Sequence, residues 1–387
     1  MPPQGSNGPR WYRYAQLPIP AGVVLAIAAI ALSSATLGQP FSGLPMPCFD
    51  AEQDFLKVPP GKLFGDVSAV TVDAAGSIWV LHRPRTIPKD KRALALPPIV
   101  HFKPDGSFAG GFGGPSADYE WPTIEHSLAV GLNGHLWISG AFRTDKANAD
   151  DMVLEFRNNG QFVRQIGRRG ASKGNLDKEN VHAPGDLAID DQSKELYIAD
   201  GYGNRRIVVF DAVTGAFRRS WGAFGSSPTT SPAPAPRAAG APFIPDEGNG
   251  PADFNGVHGV ALARDGKVYV SDRNNQRIQA FTRDGKYLGQ VFIDRNLRSP
   301  MTASGMAFSD DPHQKYVFVA DFGNPALIVV DRRRLEVVGR IGRDAGTAPT
   351  FTTPHLVAND SKGHLYVSEV AARRVQRLTV KSECTKP

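Results

Sequence analysis

Glu195-Leu-Tyr-Ile-Ala-Asp200 decides the fold, because the chain writes this phrase six times. An aliphatic residue, an aromatic, an aliphatic, a small residue and an acid recur at Ser77–His82, His135–Gly140, Lys267–Asp272, Tyr316–Asp321 and His364–Glu369. The first two copies lack the closing acid. Aromatic and aliphatic runs bounded by Gly, Asp and Asn are strands. Before each copy lies a second short strand, opening at Ser68, His126, Gly185, His258, Ser304 and His355. Several copies are followed by a third strand (Arg206–Phe210, Arg277–Phe281), and often a fourth (Phe217–Trp221, Tyr287–Val291). Four short antiparallel strands, six times over, predict an all-β, six-bladed β-propeller. No helical period is sustained after residue 35, which excludes an α/β fold.

The rest of the 387 residues fits around that frame. Gly 40 and Pro 31 suit short strands joined by turns. The propeller is expected over 60–382, with the Pro- and Ala-rich stretch 226–250 as a surface loop. The last blade has three evident strands, and residues Phe55 to Val58 are expected to supply its fourth. A net charge of +6, with no run of five or six like charges, gives no footprint for nucleic acid. Residues 1–35 carry Arg10 and Arg13, no acid, the apolar run Ala21–Leu32 and then Ser33-Ser34-Ala35. That order is a secretory signal with cleavage near Ala35. The run is short of the roughly 20 residues a spanning helix needs. The mature chain is expected to be periplasmic or secreted, monomeric, and at a membrane only if this segment is retained as an anchor. Residues 36–59 then form an N-terminal segment. Two cysteines exclude a disulfide-dense scaffold and a Cys-based zinc finger. In an exported chain a Cys48–Cys384 bridge would tie the two ends together.

The six inner-strand positions read Ser68, His126, Gly185, His258, Ser304 and His355, with histidine on alternate blades. The first strand of a propeller blade lines the central channel, so three imidazoles about 120° apart converge at one level. Three neutral nitrogens with an open fourth position form a catalytic zinc site. Of the other histidines, His135 and His364 stand beside turn glycines and are expected in solvent. His182 falls three residues short of the phase and is expected in a loop. His82 lies near the phase on another strand. Arg83, Tyr202 and Arg273 follow the ends of the repeated phrase, at the same end of the blades as the histidines. Arginine forks bind carboxylates, so the implied ligand is a small anionic or peptide substrate in the channel.

Asp200-Gly-Tyr-Gly-Asn-Arg-Arg-Ile207 and Asp272-Arg-Asn-Asn-Gln-Arg-Ile278 resemble NHL repeats. Together with Val67–Asp73 leading to Leu81-His-Arg83, Glu125-His-Ser-Leu128, Val257-His-Gly-Val260 and Pro354-His355, they make the chain resemble the peptidyl-α-hydroxyglycine α-amidating lyases over roughly residues 60–380. The resemblance implies a six-bladed propeller holding zinc through His126, His258 and His355. It implies Tyr202 as catalytic base, Arg83 and Arg273 as the active-site arginines, and structural calcium held by the backbone carbonyls of Val70 and Leu128. Leu356 stands where the family has an aspartate that also binds calcium, which weakens that site, and Gly203 stands where it has a cysteine. The implied reaction cleaves a carbinolamide, N–CH(OH)–COO⁻, to an amide and glyoxylate. The alternative is a non-enzymatic NHL propeller that binds a protein or peptide; a calcium-dependent lactonase would want channel acids in place of these histidines.

Overall fold

The computed structural model describes residues 46–131, 133–230, 248–295, 301–342 and 350–384. They form six four-stranded antiparallel sheets. Blades 1 to 5 span residues 66–112, 125–167, 186–221, 257–292 and 306–342, each in sequence order from channel to rim. Blade 6 takes three strands from residues 354–384 and its outer strand from the other end of the chain, Met46–Glu52. Residues 1–35, where the secretory signal is expected, and residues 231–247 of the Pro- and Ala-rich stretch lie outside the described residues. Among the described residues no helix is long and apolar enough to cross a membrane.

The closing strand is therefore Met46–Glu52, not Phe55 to Val58, and the propeller begins before residue 60. The physical reason is apolar packing. Met46, Phe49 and Ala51 pack on the cluster around Phe318 and Leu378, between blades 5 and 6. Phe49 meets Phe318 edge-on at 5.5 Å. Phe55 to Val58 instead crosses to blade 1, where the Lys57 amide donates to the Gly106 carbonyl at 2.8 Å. Cys48, in the closing strand, is disulfide-bonded, and Cys384 is the only other cysteine in the chain.

The aromatic of each repeated phrase packs between neighbouring blades. Trp79, Trp137, Tyr197, Tyr269, Phe318 and Tyr366 are all buried. A blade's second strand is covered on both faces, so it reads as a continuous apolar run and not as an alternation.

The acid that closes the phrase anchors the approach to the channel. Asp200, Asp272 and Glu369 each accept a backbone N–H from the residue three places before the channel position of their own blade. The donors are His182 (2.7 Å), Asn255 (2.7 Å) and Thr352 (2.6 Å). Each acid also pairs with an arginine from the third strand: Arg206, Arg277 and Arg374. Blades 1 and 2 lack the acid yet keep the anchor. In blade 1 the Gly65 amide donates to His82 Nδ1 at 3.0 Å; burial lowers that imidazole's pKa to about 4, so the ring stays neutral and can accept. In blade 2 Asp150 takes the place that Gly140 vacates. It accepts from the Thr123 and Ile124 amides at 2.8 and 3.0 Å and pairs with Arg169. A Cβ on Gly140 would lie 2.4 Å from the Asp150 carboxylate, so this substitution depends on the glycine. Residues 141–149 are thereby looped out beside the channel.

Candidate metal centre

All three channel histidines sit at bulges. In blade 2 Glu125 pairs with Gly140 and Leu128 with Ile138, so His126 and Ser127 share one partner position, Ser139. Blade 6 repeats this, with His355 and Leu356 opposite Ser368. In blade 4 His258 is the extra residue between Val257 and Gly259. A bulge bends its strand and re-aims a side chain. Here the three rings meet. Their centroids are 4.7 to 5.0 Å apart, and one nitrogen from each lies within 4.8 Å of the others.

The residues on the intervening blades set the tautomer. His126 Nδ1–H donates to the Gly185 carbonyl and His355 Nδ1–H to the Ser68 carbonyl, both at 2.6 Å. Gly185 and Ser68 hold the channel positions of the next blades round. With Nδ1 protonated, Nε2 keeps its lone pair. Gly185 is also required sterically, since a Cβ there would stand 2.7 Å from the His258 carbonyl oxygen. The Ser304 carbonyl acts on His258 in the same sense, but short of hydrogen-bond geometry; both nitrogens of that buried ring lack a partner. A buried imidazole with no partner, beside two rings whose Nδ1 atoms are fixed, is a donor set that fits a zinc ion.

Burial holds all three rings neutral. It drives His126 and His258 well below the ordinary imidazole pKa and His355 to about 3, and the neighbouring Arg83 and Arg273 guanidiniums add to the effect. Unfolded histidine titrates near 6.5. Between that value and the folded pKa the unfolded chain binds more protons. The stability these rings allow is thus complete above about pH 6.5 and is lost as pH falls towards 3, by up to about 1.4 kcal/mol per pH unit for each ring. Urea unfolding of the metal-free chain should show a midpoint that drops between pH 7 and pH 5, less steeply in His258→Gln. An unchanged midpoint would contradict it.

Tyr202 and both arginines surround this ring. The Tyr202 hydroxyl donates to His126 Nε2 at 3.0 Å, and an Arg273 Nη1–H donates to the Tyr202 oxygen at 3.2 Å. The Tyr202 ring stands edge-on to His126 and His258, at 5.0 and 5.6 Å. Arg83 is fixed through its Nε–H to the Glu125 carbonyl at 2.8 Å. Both arginines are buried, and the Arg273 Nε–H has no acceptor.

Other residues stand apart from this group. Val70 and Leu128 lie further along the inner strands, lining a cavity of about 240 Å³ together with Asp186. The carboxylate of Asp186 is occupied by the Ser127 hydroxyl at 2.6 Å and by the Leu187 and Val260 amides, and burial pushes its pKa up to about 6. Asp186 thereby ties blade 2 to blades 3 and 4 next to His126. It is the one acid in the column one step past the channel position, and that was its signal in the sequence. Among the described residues only the three histidines converge as a ligand set. His135 and His364 are not free in solvent; they pair with Glu155 and Asp360 at 2.7 and 2.8 Å. His182 is a loop residue whose ring pairs with Asp151 at 2.6 Å. Arg143 was also missed; it lies over the Tyr202 ring, its Cζ 4.8 Å from the centroid. The signal for it was the missing acid at Gly140.

The NHL repeat family matches residues 254–281, the approach to blade 4 and its first three strands. The chain is a six-bladed β-propeller that carries an NHL repeat. This propeller is 27% identical over 325 residues to the mouse NHL repeat-containing protein 3, covering 81% of this chain and 79% of that one. It is 23% identical over 336 residues to a Caenorhabditis elegans protein named "Probable peptidyl-alpha-hydroxyglycine alpha-amidating lyase", covering 82% and 83%. Among solved structures, a Bacteroides thetaiotaomicron protein of unknown function matches the propeller with a TM-score of 0.55 at 13% identity. That match covers 87% of this chain and 77% of the other, and it is a likeness of fold alone.

Proposed function

We propose that this propeller is an exported zinc-dependent lyase that cleaves the N–C bond of a carbinolamide, releasing an amide and glyoxylate. The observation that carries the proposal is the convergence of three neutral imidazoles with a phenol and two buried guanidiniums. The likeness to an amidating lyase of similar length supports it. Export rests on the basic, apolar and small-residue order of residues 1–35.

His126, His258 and His355 would hold the ion, each through the nitrogen that faces the others. Bound zinc supplies Lewis acidity towards a hydroxyl oxygen. The protein supplies the rest. Arg83 and Arg273 bind the carboxylate of the substrate and orient its carbinol carbon. With His126 Nε2 given over to the ion, Tyr202 would lose that acceptor and, as the phenolate, would accept the hydroxyl proton, with the Arg273 guanidinium against its oxygen to balance the charge. The hydroxyl oxygen then forms the aldehyde carbonyl of glyoxylate as the C–N bond breaks. The bonding pair leaves with the amide nitrogen, which takes the proton back from Tyr202.

Metal analysis by mass spectrometry tests this first. About one zinc per chain is expected, and none in His126→Ala. The zinc-loaded chain should then release glyoxylate from an α-hydroxyglycine peptide. A chain that takes up no zinc when zinc is supplied has no such chemistry, and the binding propeller becomes the better reading.

A further inference from the structure

We propose that the site takes a substrate with two anionic groups, and that Arg143 receives the second. The proposal rests on the metal-site reading above and extends it to substrate class. Tyr202 carries two guanidiniums: the Arg143 Cζ lies 4.8 Å from its ring centroid and the Arg273 Cζ 5.1 Å. Neither arginine has a carboxylate partner among the described residues. Elsewhere Arg164, Arg169, Arg206, Arg219, Arg277 and Arg374 all pair with acids. Two like charges sharing one aromatic ring repel each other, and an anion seated between or beside them relieves that repulsion.

The arrangement is built into the blade. The Asp150 carboxylate accepts from the Phe142 amide at 3.0 Å, and the Asp150 amide donates to the Phe142 carbonyl at 2.8 Å. The buried Asp150 thus holds the backbone just before Arg143. That anchor exists because Gly140 gives up the place where blades 3 to 6 carry their acid. Arg143 is exposed, whereas Arg83 and Arg273 are buried. The buried pair can take the carboxylate next to the reacting carbon. Arg143 stands further out, where a side group of the same substrate would pass.

Binding of two α-hydroxy acids to the zinc-loaded full-length chain tests this without turnover. 2-Hydroxyglutarate carries a second carboxylate and 2-hydroxybutyrate does not. By titration calorimetry the wild type should bind the dianion about tenfold more tightly, the scale of one charge-assisted contact. Arg143→Gln should lose that preference, keep its affinity for 2-hydroxybutyrate, and keep its zinc. Equal binding of the two acids by the wild type, or by neither, overturns the proposal. So does an Arg143→Gln variant that weakens both acids alike, which would make the residue a partner of Tyr202 only. Zinc content and glyoxylate release from the wild type report separately on the lyase reading.

Discussion

Tyr202→Phe should lower glyoxylate release by about 10²- to 10⁴-fold, the usual contribution of a positioned acid–base group. Its zinc content should not change. The phenylalanine keeps the edge-on contacts with His126 and His258 and removes only the oxygen, which lies 3.0 Å from His126 Nε2 and 3.2 Å from Arg273 Nη1. The fold is therefore expected to survive, and the thermal midpoint should confirm it. The loss should fall on kcat more than on KM, because Arg83 and Arg273 still bind the carboxylate. A variant with undiminished turnover removes Tyr202 from the chemistry. A variant that loses zinc makes it a structural residue.

Arg277→Met should destabilise the chain by about 3 kcal/mol, read as a lower midpoint in urea. The Arg277 guanidinium is wholly buried. It donates to Asp272 at 2.8 Å and to the carbonyls of Asn249, Pro251 and Asp253. Burial raises the Asp272 pKa to about 6 even with the arginine present. Without it the acid takes a proton, which keeps the cost at the lower end of the range for a broken buried pair. Blade 5 is the natural control. There Ala326 occupies the arginine's register, opposite Asp321. Burial and the neighbouring Asp294 push the Asp321 carboxyl far above the usual range, so it is neutral and donates. Asp321→Asn should therefore cost less than about 1 kcal/mol. An Arg277→Met chain as stable as the wild type would refute the anchor role.

What the sequence disclosed follows from how local each signal is. The buried aromatic of each phrase, from Trp79 to Tyr366, is written within six residues and repeats, so the blades could be counted. The phase of His126, His258 and His355 survived because each bulge falls at the same place in its blade. The closing strand was misplaced because Met46–Glu52 pairs with residues more than 300 positions away, and nothing near it in sequence shows the partner. Asp150 was invisible as an anchor because it works from outside the repeated phrase, across an inserted loop. Arg143 was hidden for the same reason. His135 and His364 looked solvated because their acid partners are brought up by strand register and turn geometry, not by the residues beside the turn glycines.

Ring closure also sets a schedule for biosynthesis. Glu52 meets Arg377 across 325 residues, and His355 Nδ1 reaches the Ser68 carbonyl across 287. At about 5–20 residues per second, a ribosome needs about 15–65 s to make the chain between Glu52 and its partner. For that interval the nascent molecule has an open seam, and the third histidine of the set arrives only with residue 355. On the zinc proposal an ion could be fully caged only after the last blade has found the first, so zinc occupancy would be a readout of completed translation and closure. A product truncated before blade 6 would carry five sheets and only His126 and His258 of the three channel histidines.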